Sequence, residues 1–211
     1  ETTCILSKGL MNEQTITQHY LDDTRASFRA YKKLAEKALA QLRDEEYFVT
    51  LDEESNSIAV IMKHMAGNML SRWTDFLTSD GEKPDRNRDL EFVIETGTTK
   101  EELFTYWERG WACLFNALES LQPSDFDKTV FIRGKTHSIV QATHRQMTHY
   151  AYHIGQIVFL AKHLRASEWT SLSVPRNRSA AFNEYLNKQP DGIGSDHYLE
   201  GAAGFTKSAK E

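Results

Sequence analysis

The sequence predicts an all-α protein built as a four-helix bundle. Three observations lead there. Four long segments repeat apolar residues at spacings of three and four. One long connection separates the second segment from the third, and no alternation of strands and helices suggests a parallel sheet.

The first helix is expected over Thr15 to Arg43, where Tyr20, Thr24, Phe28, Tyr31, Ala35, Ala38 and Leu42 form one stripe. Lys32, Lys33, Glu36, Lys37 and Gln41 fill the opposite, solvated face. The second helix starts at Ser55 or Ser57, either of which suits an N-cap, and is expected to stop at Ser79-Asp80-Gly81. Ile58, Met62, Met65, Met69, Trp73 and Phe76 make its stripe, with His64 and Asn68 on one flank. A long connection follows, containing Pro84 and the charged run from Asp85 to Asp89. Thr98-Thr99-Lys100-Glu101-Glu102 opens the third helix, because threonine caps and acids in the first turn suit a helix N-terminus. Leu103, Trp107, Trp111, Leu114, Leu118 and Leu121 form its stripe, and Pro123 closes it. The β-prone run Thr129 to Lys135 reads as a small hairpin or extended loop around Gly134. The fourth helix spans Ser138 to Leu164, and a short C-terminal helix runs from Asn177 to Lys188. The glycine-containing tail from Pro190 to Glu211 is expected to wrap as a loop or to be partly mobile.

With 211 residues, 40% hydrophobic and 26% charged, the composition is that of a globular domain. Net charge is −5 and no basic run stands out, so a nucleic-acid partner is not expected. No apolar stretch reaches the roughly 20 residues that span a bilayer. Cys4 and Cys113 make no disulfide framework, and Cys113 is expected to be a buried thiol. The first dozen residues lack a secretory pattern, Met11 is a candidate start, and a reduced, cytoplasmic setting is expected.

His149 and His153 lie four residues apart on the fourth helix, so both imidazoles project from one side of it. Ala142, Leu160 and Leu164 share that side, which places the pair on the stripe expected to face the interior. Buried imidazoles need partners. His64, beside the second stripe, is available as a third. The spacing leaves two readings open: a metal held by three histidines, or core histidines satisfied by Tyr, Gln or backbone groups. His19, His137, His144, His163 and His197 lack ligand-type neighbours or fall off the stripe. The His-Glu-x-x-His pattern of zinc proteases is absent, since Tyr150, Ala151 and Tyr152 separate the pair. No Glu-x-x-His motif for a di-iron bundle, phosphate-binding glycine loop, dinucleotide fingerprint or Gly-x-Ser-x-Gly elbow is present.

The stretch Ile58-Ala59-Val60-Ile61-Met62-Lys63-His64-Met65-Ala66-Gly67-Asn68-Met69-Leu70-Ser71-Arg72-Trp73, followed far downstream by His149-x-x-x-His153-x-Gly155-Gln156-Ile157, resembles the DinB-like superfamily, within it a bacterial branch of unknown function. The resemblance covers about Thr15 to Leu164. It implies an up-down-down-up bundle with a divalent metal, Zn or Ni, held at one end by His64, His149 and His153. It implies a homodimer, and some similar proteins are thiol S-transferases that use a low-molecular-weight thiol. The expected organisation is an N-terminal extension at 1–14, the bundle at 15–165, and a C-terminal helix and tail at 166–211 packed on it. The expected function is a metal-dependent thiol S-transferase or hydrolase acting on small electrophiles. The rival is a non-catalytic metal-carrying dimer in a stress or interaction role. Open positions on a three-histidine ion would lower the pKa of a water or thiol. Asn68, one turn after His64, and Gln156, two turns after His149, are expected to support the ligands or line the substrate site, with Arg72 and Trp73 near its mouth.

Overall fold

The computed structural model describes residues 13–188 and Phe205. Cys4, Met11, His197, most of the expected N-terminal extension and, apart from Phe205, the expected tail lie outside them. Among the described residues the chain is mostly helical, with five α-helices and one two-stranded sheet. They are α1 (Glu13–Leu39), α2 (Ile58–Trp73), α3 (Lys100–Ser120), β1 (Thr129–Ile132), β2 (Lys135–Ser138), α4 (Ile139–Arg165) and α5 (Ser179–Asn187).

The four long helices enclose one core. α2 packs along α3 and touches α4, while α1 packs along α4 and touches α3. Phe28, Trp73, Trp111 and Tyr150, one from each helix, are all buried and meet through edge-on or tilted ring contacts. Such pairs contribute about 0.5–1.5 kcal/mol each beyond their buried area.

Helix starts follow their caps. Ser57, rather than Ser55, caps α2 by accepting from Val60 N–H; Thr99 caps α3 in a capping box with Glu102, and Ser138 caps α4 with Gln141. Helix ends depart more from expectation. α2 stops at Trp73, well before Gly81, because Thr74 turns extended and Asp75 enters the left-handed region at φ 48°. Phe76 therefore leaves the helix and is only half-buried. Gly81 does something else: its N–H donates to Phe131 O at 2.7 Å and ties this loop to β1. α2 is also less amphipathic than expected, being buried on nearly every side.

The hairpin pairs Thr129 with Ser138 through Ile132 with Lys135. Its two-residue turn, Arg133-Gly134, has φ of 54° and 68°, the positive pair that matches strand twist in such tight turns. Asp80 locks that turn by accepting from Arg133 N–H at 2.8 Å and Gly134 N–H at 2.7 Å. Phe182 of α5 and Phe205 form a second small apolar cluster with Val174 and Tyr185 packed against them. Cys113 is half-buried, not buried as expected, and lies 3.4 Å from Thr74 Oγ1.

Two glycines show how tightly α2 is clasped. A Cβ on Gly110 of α3 would sit 2.8 Å from Ala66 Cα, a backbone atom of α2, whereas a Cβ on Gly155 of α4 would meet nothing within 4 Å. Gly110→Ala is expected to lower stability by about 1–3 kcal/mol through overpacking. Gly155→Ala is expected to raise it by about 0.4–1 kcal/mol. Denaturant unfolding of both variants checks this, and equal effects would show that the helices are not in contact at Gly110.

Candidate metal centre

The site forms where α2 and α4 face each other. His64 projects from the middle of α2, and His149 and His153 project one turn apart from α4. His64 and His153 are buried, but His149 is half-buried. The pair thus straddles the edge of the buried face and does not lie wholly within it as expected. The buried stripe of α4 runs through Ala142, Gln146, Tyr150, Ile154, Ile157 and Ala161, and leaves His149 beside a cavity.

The three rings converge. His149 Nε2 lies 3.2 Å from His64 Nε2 and 3.1 Å from His153 Nε2. One ring nitrogen from each lies within 4.8 Å of the others. The opposite nitrogens of His64 and His153 are engaged elsewhere. His64 Nδ1 is 2.8 Å from Glu91 Oε2, and His153 Nδ1 is 2.8 Å from Gln156 Oε1. Both oxygens accept, so both Nδ1 atoms carry the ring proton. In neutral rings the corresponding Nε2 atoms then hold only lone pairs. His149 Nε2 has at most one hydrogen to give. At least one of its two close contacts therefore sets lone pair against lone pair, and a cation resolves that conflict.

The titration behaviour agrees. Burial, followed by the neighbouring His153 and His64, pushes His149 down to about 3. Burial pushes His153 down to about 4 against the opposing effect of its Gln156 hydrogen bond. Both imidazoles are neutral at pH 7, as ligation requires. Imidazole nitrogens at about 2.0–2.1 Å from a zinc ion stand roughly 2.9–3.4 Å apart. The two short contacts fall in that interval, so the residues present fit a divalent ion.

Two of the three ligand candidates, His64 and His153, are braced from behind. Burial alone would raise Glu91, but His64 and Arg86 hold its carboxyl below the ordinary range. Arg86 grips it twice, Nε to Oε1 at 2.7 Å and Nη2 to Oε2 at 2.9 Å. Glu91 has room because Gly67 lies beneath it; a Cβ there would be 2.5 Å from Glu91 Oε1. Phe92 packs its ring over His64 with centroids 4.9 Å apart. Gln156, held in turn to Tyr152 OH through its Nε2 at 3.0 Å, braces His153.

Of the other expected residues, Asn68 lines the cavity but spends its Oδ1 on the Tyr150 hydroxyl at 2.9 Å. Arg72 also lines it, held by Gly81 O and by Glu82 Oε2. Trp73 is buried and donates to Tyr150 OH, away from the cavity mouth. His137 bonds to Lys135 O, His144 packs against Tyr20, and His19 and His163 are exposed. Glu91 and Arg86 were not foreseen. Both come from the charged connection, whose sequence shows no periodicity to reveal an inward face.

The model of one protein family, described as "Protein of unknown function (DUF1572)", matches residues 15–178. No curated protein and no solved structure matches the chain.

Stability of the metal-free protein should depend on these rings. The unfolded chain takes up protons on His149 and His153 near pH 6.5, while the folded chain resists until about pH 3 at His149 and about pH 4 at His153. Between those limits the unfolded state binds more protons, so stability falls as the pH falls. The melting temperature is expected to drop from pH 6.5 to pH 5, a window that stays above the ordinary glutamate value. The His149→Gln/His153→Gln double variant should lose less over that window; an equal loss would assign the titration to other groups.

Proposed function

We propose that this chain, which belongs to the DUF1572 family of unknown function, binds one divalent metal ion through His64, His149 and His153 and uses it to act on a small molecule. The observation that carries the reading is the convergence of three imidazole nitrogens, with the far sides of two of the rings, His64 and His153, already committed to Glu91 and Gln156. Three protein ligands leave coordination positions open, the mark of a working centre more than a structural one. A cavity of about 580 Å3 opens beside His64 and His149 and offers such a molecule a place. When bound, the ion supplies Lewis acidity at the base of that cavity.

The chain's own residues do the rest. Glu91 and Gln156 hold the Nδ1 protons, which fixes the tautomer of two ligands and keeps their Nε2 atoms free. Arg86 keeps Glu91 charged and immobile. Phe92 and the buried stripe of α4 exclude water from the back of the site. We place the chain in the DinB-like superfamily with an up-down-down-up order of helices. The pairing of α2 with α3 and the long connection from Thr74 to Thr99 support that order, because parallel neighbours need a crossover. Imidazole ligands suit Zn and Ni alike. Hydrolysis or thiol transfer to a small electrophile is the reaction class we favour over a purely carrying role, because a carrier has no need of an open cavity.

Untagged protein is expected to carry one divalent ion per chain by elemental analysis. His153→Ala should abolish stoichiometric binding. Glu91→Gln, and Gly67→Ala, whose methyl would displace Glu91, should each weaken binding about 10–100-fold in competition with a chromogenic chelator. Full occupancy in His153→Ala would remove the three-histidine assignment. Turnover by the loaded protein across a panel of low-molecular-weight thiols and electrophiles separates transferase, hydrolase and carrier.

A further inference from the structure

The cavity beside the histidines has a second property that metal binding does not explain. Arg72, Arg86, Arg88, Arg133 and Arg145 all line it, and no aspartate, glutamate or lysine does. These arginines come from α2, from the connection before α3, from the hairpin turn and from α4. The whole chain is acidic, with 30 Asp and Glu against 25 Lys and Arg, so the concentration of guanidinium groups runs against its composition.

Three of the five are anchored from behind the wall. Glu82 Oε2 lies 2.9 Å from Arg72 Nη2, 3.4 Å from Arg86 Nη1 and 3.1 Å from Arg133 Nε. Glu91 takes the remaining face of Arg86. Two carboxylates therefore serve three guanidiniums and orient them. Arg88 lies with its guanidinium carbon 4.8 Å from the centroid of the Phe92 ring and has no carboxylate partner among the described residues. Arg145, exposed on α4, has none either. Five positive charges against two negative ones leave a surplus of three, before any metal charge is added. Like charges gathered around a concave, partly desolvated wall repel one another, and the arrangement becomes favourable when an anion enters. Guanidinium rather than ammonium groups favour planar, two-point recognition of carboxylate or phosphate oxygens. Its volume, about 580 Å3, suits a small molecule.

We infer that this cavity receives the oxyanion group, phosphate or carboxylate, of the small molecule on which the metal centre acts, with Arg88 and Arg145 supplying the uncommitted charge. The inference rests on the proposed metal centre for its functional meaning, but anion binding itself does not require the metal.

Isothermal titration of the full chain, both stripped of metal and metal-loaded, with inorganic phosphate and separately with succinate, tests it. Binding of at least one probe to both forms is expected, weakening as salt is raised. Arg88→Gln and Arg145→Gln should each reduce affinity roughly tenfold or more while leaving metal content and melting temperature unchanged. Preference between the probes identifies the phosphate or the carboxylate. His153→Ala should lose metal yet retain anion binding in the stripped form, which keeps failure of the metal reading distinct from failure of this one. The inference is overturned if neither probe binds the wild type, if binding appears only with metal and survives both arginine substitutions, or if those substitutions leave affinity unchanged.

Discussion

Three imidazole rings are held so that their Nε2 nitrogens face one point, and most of the surrounding structure follows from that constraint. Left alone, such an arrangement is unfavourable. Lone pairs oppose each other across at least one of the two contacts, at 3.2 and 3.1 Å, and burial discourages relief by protonation. Only a rigid frame keeps the rings there. That frame is the contact between α2 and α4, reinforced on the α2 side by the buried pair Arg86 and Glu91. Charges removed from water to this degree are tolerated only when paired and hydrogen-bonded. The pair satisfies that condition with two short bonds between its members and a third to His64.

The close packing of α2 follows from the same requirement. A helix exposed along one face would let water reach His64 and relax its geometry. Here α3 covers one side through the close approach at Gly110, and the short helix Asp89–Phe92 covers another through Glu91 and Phe92. Gly67 is the point where these demands meet, because Glu91 can approach α2 only where no side chain intervenes. The long connection between α2 and α3 is therefore part of the site, not merely a link around it.

The long helices were legible in the sequence because each obeys a period that burial imposes: Phe28, Ala35 and Ala38 in α1, and Trp107, Trp111, Leu114 and Leu118 in α3, are all buried as their spacing requires. Caps were legible for a local reason, since Ser57, Thr99 and Ser138 act on residues three positions away. The end of α2 was not, because Asp75 adopts a backbone conformation that no short-range pattern announces. The histidine trio was legible in part. Spacing joins His149 to His153, but nothing in the intervening sequence ties either to His64 except resemblance.

The braces and the arginine wall were hidden for one shared reason. Glu91, Arg86 and Arg88 fall in an aperiodic charged run whose natural reading is a solvated loop, yet the side chains of Arg86 and Glu91 are 5% and 7% exposed. The five arginines are dispersed from position 72 to position 145, so no basic cluster exists until the chain folds. Asp80 illustrates how distant residues create it. By clamping the turn at Arg133 and Gly134, it binds the end of the loop after α2 to the tip of the hairpin and brings Arg133 to the same Glu82 that orients Arg72. Net charge describes the whole chain and predicts its average behaviour toward polyanions. The potential inside a cavity depends instead on which side chains the fold collects around it, and here an acidic protein encloses a basic one.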